Sequence, residues 1–159
     1  MTPDLNLLAA EGYFELEMYE DALDELETAD ANPKNSLAVS AMKLSILIAQ
    51  KRWEDALPYG EALCDLDPEE PQYFIQYAYV LREVGKIEDA RCVLLDGPDE
   101  LEQSGLFYYN LACYEALLGE GSTALATIQR AFHLDRDLIT TALADPDLES
   151  IRDRLPPSS

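Results

Sequence analysis

Basic residues are scarce in this chain. Its 159 residues hold 11 Lys and Arg against 32 Asp and Glu, a formal net charge of −21. Nucleic acid and anionic membrane surfaces need clustered cations, so the charge balance argues against direct binding to either; basic partners stay open. Histidine occurs once, at His133, with no partner in the sequence to position it for acid or base work. No G-x-S-x-G elbow, phosphate loop or H-E-x-x-H helix is present. The chain therefore reads as a non-enzyme, with no catalytic residue, no metal site and no cofactor. Cysteine is limited to Cys64, Cys92 and Cys113, odd in number and widely spaced, which fits neither a disulfide framework nor a paired metal motif. Reduced thiols acting as small hydrophobes are the expectation. Uncharged apolar runs fall short of the roughly 18 residues of a membrane span, which predicts no membrane insertion. The opening stretch MTPDLNLLAAEGYF carries an acid where a signal peptide carries positive charge. A cytoplasmic location is expected. Alternating β-branched runs bounded by turn residues are also missing, so no sheet is predicted.

What is present is a period. YEDAL at 19–23 returns as WEDAL at 53–57 and as IEDAR at 87–91, and Ala22, Ala56, Ala90 and Ala124 stand 34 residues apart. Within each period apolar residues recur at helical spacing, as in Leu5, Leu8, Ala9, Tyr13 and Leu16, followed after a polar stop by Tyr19, Ala22, Leu23, Leu26 and Ala29. Each unit is thus a helix pair. The stops inside later units are Lys51-Arg52, the segment around Gly85, and the segment around Gly119 and Gly121. Prolines and caps separate the units. Pro71 suits a first helical turn, Ser36 and Ser104 are placed to cap the helices that follow, and Gly97-Pro98 cuts one helix short before a partial turn in DELEQ.

The fourth unit, YYNLACYEALLGEGSTALATIQRAFHLD at 108–135, resembles the tetratricopeptide repeat, through Tyr108, Leu111, Ala112, Gly119, Ala124 and Ala131. Phe74, Tyr77, Ala78, Gly85, Ala90 and Leu94 occupy the same phase in the third unit. The resemblance implies an all-α, right-handed α-α superhelix of stacked helix-turn-helix repeats with a C-terminal capping helix. The repeats fall at residues 1–34, 35–70, 71–104 and 105–138, with the cap and tail at 139–159. The four alanines would sit where the two helices of a unit approach most closely, beside wedge residues Tyr19, Trp53 and Ile87. Gly60 and Leu63 suggest a large-for-small exchange within one layer. Lys43 and Glu115 fall at phases usually apolar. The final helix should start at Asp145-Pro146, with Leu148, Ile151 and Leu155 on its apolar face.

Members of the family hold ligands along the face lined by the first helix of each unit. Here that face would carry Leu7, Glu11 and Phe14, then Ala41, Ser45 and Ile48, then Ile75, Tyr79 and Arg82, then Tyr109, Cys113 and Ala116. One subgroup of the family clamps chaperone-tail carboxylates with two lysines, an asparagine and an arginine. These positions offer Asn110 and Arg82 but no lysine, which speaks against that ligand. Residues 11–30 hold nine acids and no Lys or Arg, with Glu20, Asp21, Asp24 and Glu27 predicted to face outward, as are Glu54, Asp55 and Glu61. The resemblance implies a non-catalytic scaffold or adaptor that binds a protein or peptide, a basic amphipathic segment with apolar anchors suiting this charge. Two alternatives stand beside it. One is a cytosolic secretion-type chaperone that holds an exported client. The other is a self-associating structural protein whose acidic first unit meets the Arg130, Arg136, Arg152 and Arg154 end of another copy.

Overall fold

The computed structural model describes residues 4–158, and among them no strand occurs. Among the described residues nine α-helices follow one another: α1 (Leu5–Glu15), α2 (Tyr19–Ala29), α3 (Ser36–Ala49), α4 (Trp53–Leu66), α5 (Pro71–Glu83), α6 (Ile87–Leu95), α7 (Gly105–Leu117), α8 (Gly121–Leu134) and α9 (Leu138–Ala144). Short 3₁₀ helices lie at Pro33–Asn35, Asp99–Gln103 and Pro146–Arg154. No helix of the described residues is long and apolar enough to cross a membrane.

The helices pair as α1 with α2, α3 with α4, α5 with α6, and α7 with α8. One turn joins all four pairs. In each, three residues leave the first helix and the middle one takes a left-handed backbone: Glu17 (φ 58°), Lys51 (φ 57°), Gly85 (φ 85°) and Gly119 (φ 82°). The amide of the residue after it reaches back five positions, from Met18 to the Tyr13 carbonyl (2.8 Å), Arg52 to Leu47 (2.8 Å), Lys86 to Leu81 (2.9 Å) and Glu120 to Glu115 (2.9 Å). That is a Schellman closure, which satisfies carbonyls the helix end would otherwise orphan. It fixes the register of the next helix, so the alanine four positions later points inward each time. Ala22, Ala56, Ala90 and Ala124 are all 0% exposed. A larger residue there would push the paired backbones apart.

The chain divides into two compact units, one up to Asp67 and one from Pro68. The first holds α1 to α4. Its core includes Ala10, Ala22, Leu26, Ala29, Val39 and Ile46, against which Leu7, Tyr13, Phe14 and Tyr19 pack. Asp4 caps α1 by accepting from the Asn6 and Leu7 amides. The buried Asn35 amide donates to Asp4 (2.8 Å) and to the Ala29 carbonyl (2.9 Å), tying the first helix start to the end of α2. Ser36 is the first residue of α3 and makes no cap bond; instead Asn32 caps the preceding 3₁₀ turn through the Lys34 amide. The turn displaced the cap because Pro33 is pre-set for its first position. Lys43 is buried, held by Asp30 at 3.7 Å and Glu27 at 3.9 Å, with its ammonium 5.6 Å from the centre of the Tyr59 ring. Gly60 and Leu63 are both buried on α4.

The second unit holds α5 to α9. Glu70 caps α5, which has proline in its first turn, and Ser104 caps α7 through the Phe107 amide. Gly97 ends the connection after α6, where an added Cβ would overlap the Leu101 side chain and press on the Phe74 ring. Beyond α9 the chain is capped by Asp145, whose carboxylate accepts from the Asp147 amide, and continues as a 3₁₀ helix rather than an α-helix. Leu148, Ile151 and Leu155 are buried, and this segment packs on α7 and α8.

Candidate functional site

The second unit gathers its polar chemistry where α5, α7 and the Asp145–Asp147 turn meet. Arg82 stands in the last turn of α5, an end that favours cations. Its Nε donates to Asp147 Oδ2 at 2.9 Å and its Nη2 donates to Asp147 Oδ1, a two-pronged pair. Glu83 Oε1 lies 3.9 Å from the same guanidinium. On α7 the Tyr109 hydroxyl donates to Asp145 Oδ2 at 2.6 Å, and Cys113 Sγ sits 3.9 Å from that oxygen. Arg152 Nη2 donates to the Asp145 carbonyl at 3.1 Å. Asp145 thereby joins α7, the cap of the final helix and Arg152.

Burial and hydrogen bonding shift five groups of this cluster in one direction, toward the protonated form. The hydrogen bond to Asp147 raises the Arg82 pKa against the opposing effect of burial. Burial, then the bond to Asp145, pushes the Tyr109 hydroxyl far up. Burial, then the Asp145 charge, does the same to the Cys113 thiol. Burial, then Cys113, raises Tyr114, and burial, then Glu83, raises Tyr79. Cys113, Asp145 and Asp147 bring potential ligand atoms within 4.8 Å of one another. In this structure Asp147 pairs with Arg82 and Asp145 accepts from Tyr109. The trio works as a clamp that fixes the C-terminal segment. Beside it is a cavity of about 420 Å³, lined by Tyr79, Arg82, Glu83, Asn110, Tyr114 and the 145–147 turn.

Of the residues expected to face a ligand, Tyr79, Arg82, Tyr109 and Cys113 line this one cavity. Tyr79 is 40% exposed, whereas Ile75, Tyr109, Cys113 and Ala116 are buried. The chain's own C-terminal segment covers Tyr109 and Cys113. In the first unit Leu7 and Phe14 are half-buried against the core, Glu11 is exposed, and Ala41, Ser45 and Ile48 are half-buried on α3, with Ser45 Oγ donating to the Ala41 carbonyl. Glu20, Asp21, Asp24, Glu27, Glu54, Asp55 and Glu61 are all exposed. Sequence reasoning missed Glu83, Tyr114, Asp145 and Asp147 as parts of a site. A lone arginine on an otherwise apolar and aromatic helix face was the available signal, since a partly buried guanidinium needs a carboxylate.

No protein-family model matches the sequence, and no curated protein matches it. Solved structures do. MamA from Desulfovibrio magneticus RS-1 aligns with a TM-score of 0.76 at 16% identity, over 83% of this chain and 75% of that one. A further structure of MamA protein aligns at 0.80 and 11% identity over 94% and 84%. YrrB, described as a TPR protein with an unusual peptide-binding site, aligns at 0.72 and 21% identity over 81% of this chain and 66% of its own. At these identities the likeness speaks to the fold. Four helix hairpins closed by one repeated turn, alanines buried at a fixed interval and this shared architecture together make the chain a protein of the tetratricopeptide-repeat fold, all-α and built from successive helix-turn-helix repeats.

Proposed function

We propose that the protein is a non-catalytic interaction module that binds a partner segment on the faces of its first helices. The single observation that carries this reading is the site of the second unit. It is a cavity beside a 40% exposed tyrosine, walled by the chain's own clamped C-terminal turn, in which the thiol and tyrosine hydroxyls are held neutral. Such a site suits recognition and offers no activated nucleophile or base. In the second unit the contact residues are Tyr79, Arg82 and the rim around them. In the first unit they are Leu7, Glu11, Phe14, Ala41, Ser45 and Ile48. Exposed acids on α2 and α4 favour a partner with positive flanks and apolar anchors. The solved relative described as having a peptide-binding site is consistent with a peptide ligand here.

The test is selection of a random peptide library on the immobilised full-length chain, with Tyr79→Ala as the counter-selection. The expected winners carry one or two apolar anchors flanked by Lys or Arg, and their affinity falls as salt rises. Winners that bind the variant equally well, or whose binding ignores salt, would overturn the reading.

A further inference from the structure

We propose that the cavity bounded by α5, α7 and the 145–147 turn is a receptor for a cationic head group, the guanidinium of arginine or the ammonium of lysine, presented by a partner segment. Three carboxylates, Glu83, Asp145 and Asp147, line it with Arg82, and Arg152 lies against the Asp145 carbonyl, so the acids outnumber the guanidiniums by one around about 420 Å³. Tyr79, Tyr109 and Tyr114 add aromatic faces, which attract cations through the ring quadrupole. Asn110 supplies a side-chain carbonyl acceptor.

An independent observation points the same way. Tyr114 lines the cavity, is 2% exposed, and its buried hydroxyl has no hydrogen-bond partner. Buried hydroxyls are ordinarily bonded, and this one, able to donate or accept, lacks a polar partner that a ligand atom seated against Tyr114 would supply; the sign of that ligand is set by the carboxylates. Arg82 does not serve, because Asp147 engages its Nε and Nη2. An anionic ligand would meet the excess of acids and find that guanidinium already taken. A head group adds bonds at carboxylate lone pairs that remain. The volume falls in the range of small-ligand sites and admits a side-chain head with part of its stem. The net charge of −21 raises the local concentration of cations at the mouth.

That the occupant is a partner's side chain rests on the interaction reading above; the chemistry of the cavity is tested apart from it. Amide shifts of the full-length chain would be followed during titration with acetyl-arginine amide, acetyl-lysine amide, acetyl-glutamine amide and acetyl-glutamate amide. Saturable shifts at Tyr79, Asn110 and Tyr114 are expected with the two cationic probes alone, arginine binding tighter. Glu83→Gln, with an unchanged Tm as the check on folding, should weaken binding roughly fivefold, and Tyr114→Phe should weaken it as well. Equal shifts with the glutamine probe, shifts that never saturate and spread over the acids of α2 and α4, or unchanged affinity in Glu83→Gln would overturn the proposal. Those results would leave the interaction reading standing. A library selection without ligands beside a head group that still binds would do the reverse.

Discussion

Arg82 and Asp147 stand 65 residues apart in the chain and meet in a two-pronged ion pair that ties the end of α5 to the start of the final 3₁₀ helix. The two side chains are 28% and 18% exposed, so water screens the pair less than it screens a surface bridge. Asp147→Asn should destabilise the protein by about 1–3 kcal/mol, the usual cost of losing bonds to a charged group. A double-mutant cycle with Arg82→Met, read by chemical denaturation, should show coupling that changes little with salt. A cycle with no coupling would place the pair among ordinary surface bridges.

Three of the four turns carry a prediction. Glu17 and Lys51 hold left-handed backbones that glycine adopts without strain, while Gly85 and Gly119 fill the same role natively. Glu17→Gly and Lys51→Gly should therefore stabilise by about 0.5–1 kcal/mol. Gly85→Ala should cost about 1 kcal/mol through the backbone alone, since nothing lies within 4 Å of its added Cβ. Thermal unfolding of the variants checks both signs.

Glu115 and Lys43 are both buried where the repeat pattern asks for an apolar residue; Lys43 lies within 4 Å of two carboxylates, whereas Glu115 has only the more distant Arg91 charge. Burial raises the Glu115 pKa, a hydrogen bond with Thr127 opposes it, and Oε2 has no hydrogen-bond partner. A raised carboxyl pKa gives stability that is present below the ordinary Glu value and lost as pH rises through the folded one. Glu115→Gln should accordingly stabilise at neutral pH by about 1 kcal/mol. The gain should vanish as pH falls below the ordinary range. A gain that grows in acid would contradict the sign.

The alanine period, the turns, Pro71 in the first turn of α5 and the cap at Ser104 were legible because they are local: spacing of 34 and a handful of backbone requirements dictate them. The left-handed Glu17 and Lys51 were not, because their conformation is imposed by the Schellman bonds on either side and leaves no glycine to read. The clamp at the candidate site was hidden for a different reason. Residues 138–155 carry no repeat, and what seats Asp145 and Asp147 on α7 and α5 is long-range pairing with Tyr109 and Arg82, together with burial of Leu148 and Ile151. Thus four residues of the expected ligand face line one cavity, and the segment that covers Tyr109 and Cys113 was read only as a cap.

The thiols separate by environment. Cys92 is exposed, Cys64 is pushed up to about 12 by burial and then by the Asp65 charge, and buried Cys113 is raised too. Thiolate is the reactive form. At mildly alkaline pH one cysteine should react quickly with a maleimide in the native protein and three in denaturant. Fast native labelling of Cys113 would show the clamp to be open.

The most direct measurement compares affinity and stability of Tyr79→Ala and Tyr109→Phe for one peptide obtained by library selection. With the C-terminal turn seated on α7, Tyr79→Ala should weaken binding about tenfold, on the scale of an aromatic contact residue, with little change in Tm. Tyr109→Phe, by contrast, should lower Tm and leave affinity intact. The reverse pattern, affinity lost at Tyr109 and kept at Tyr79, would contradict the account.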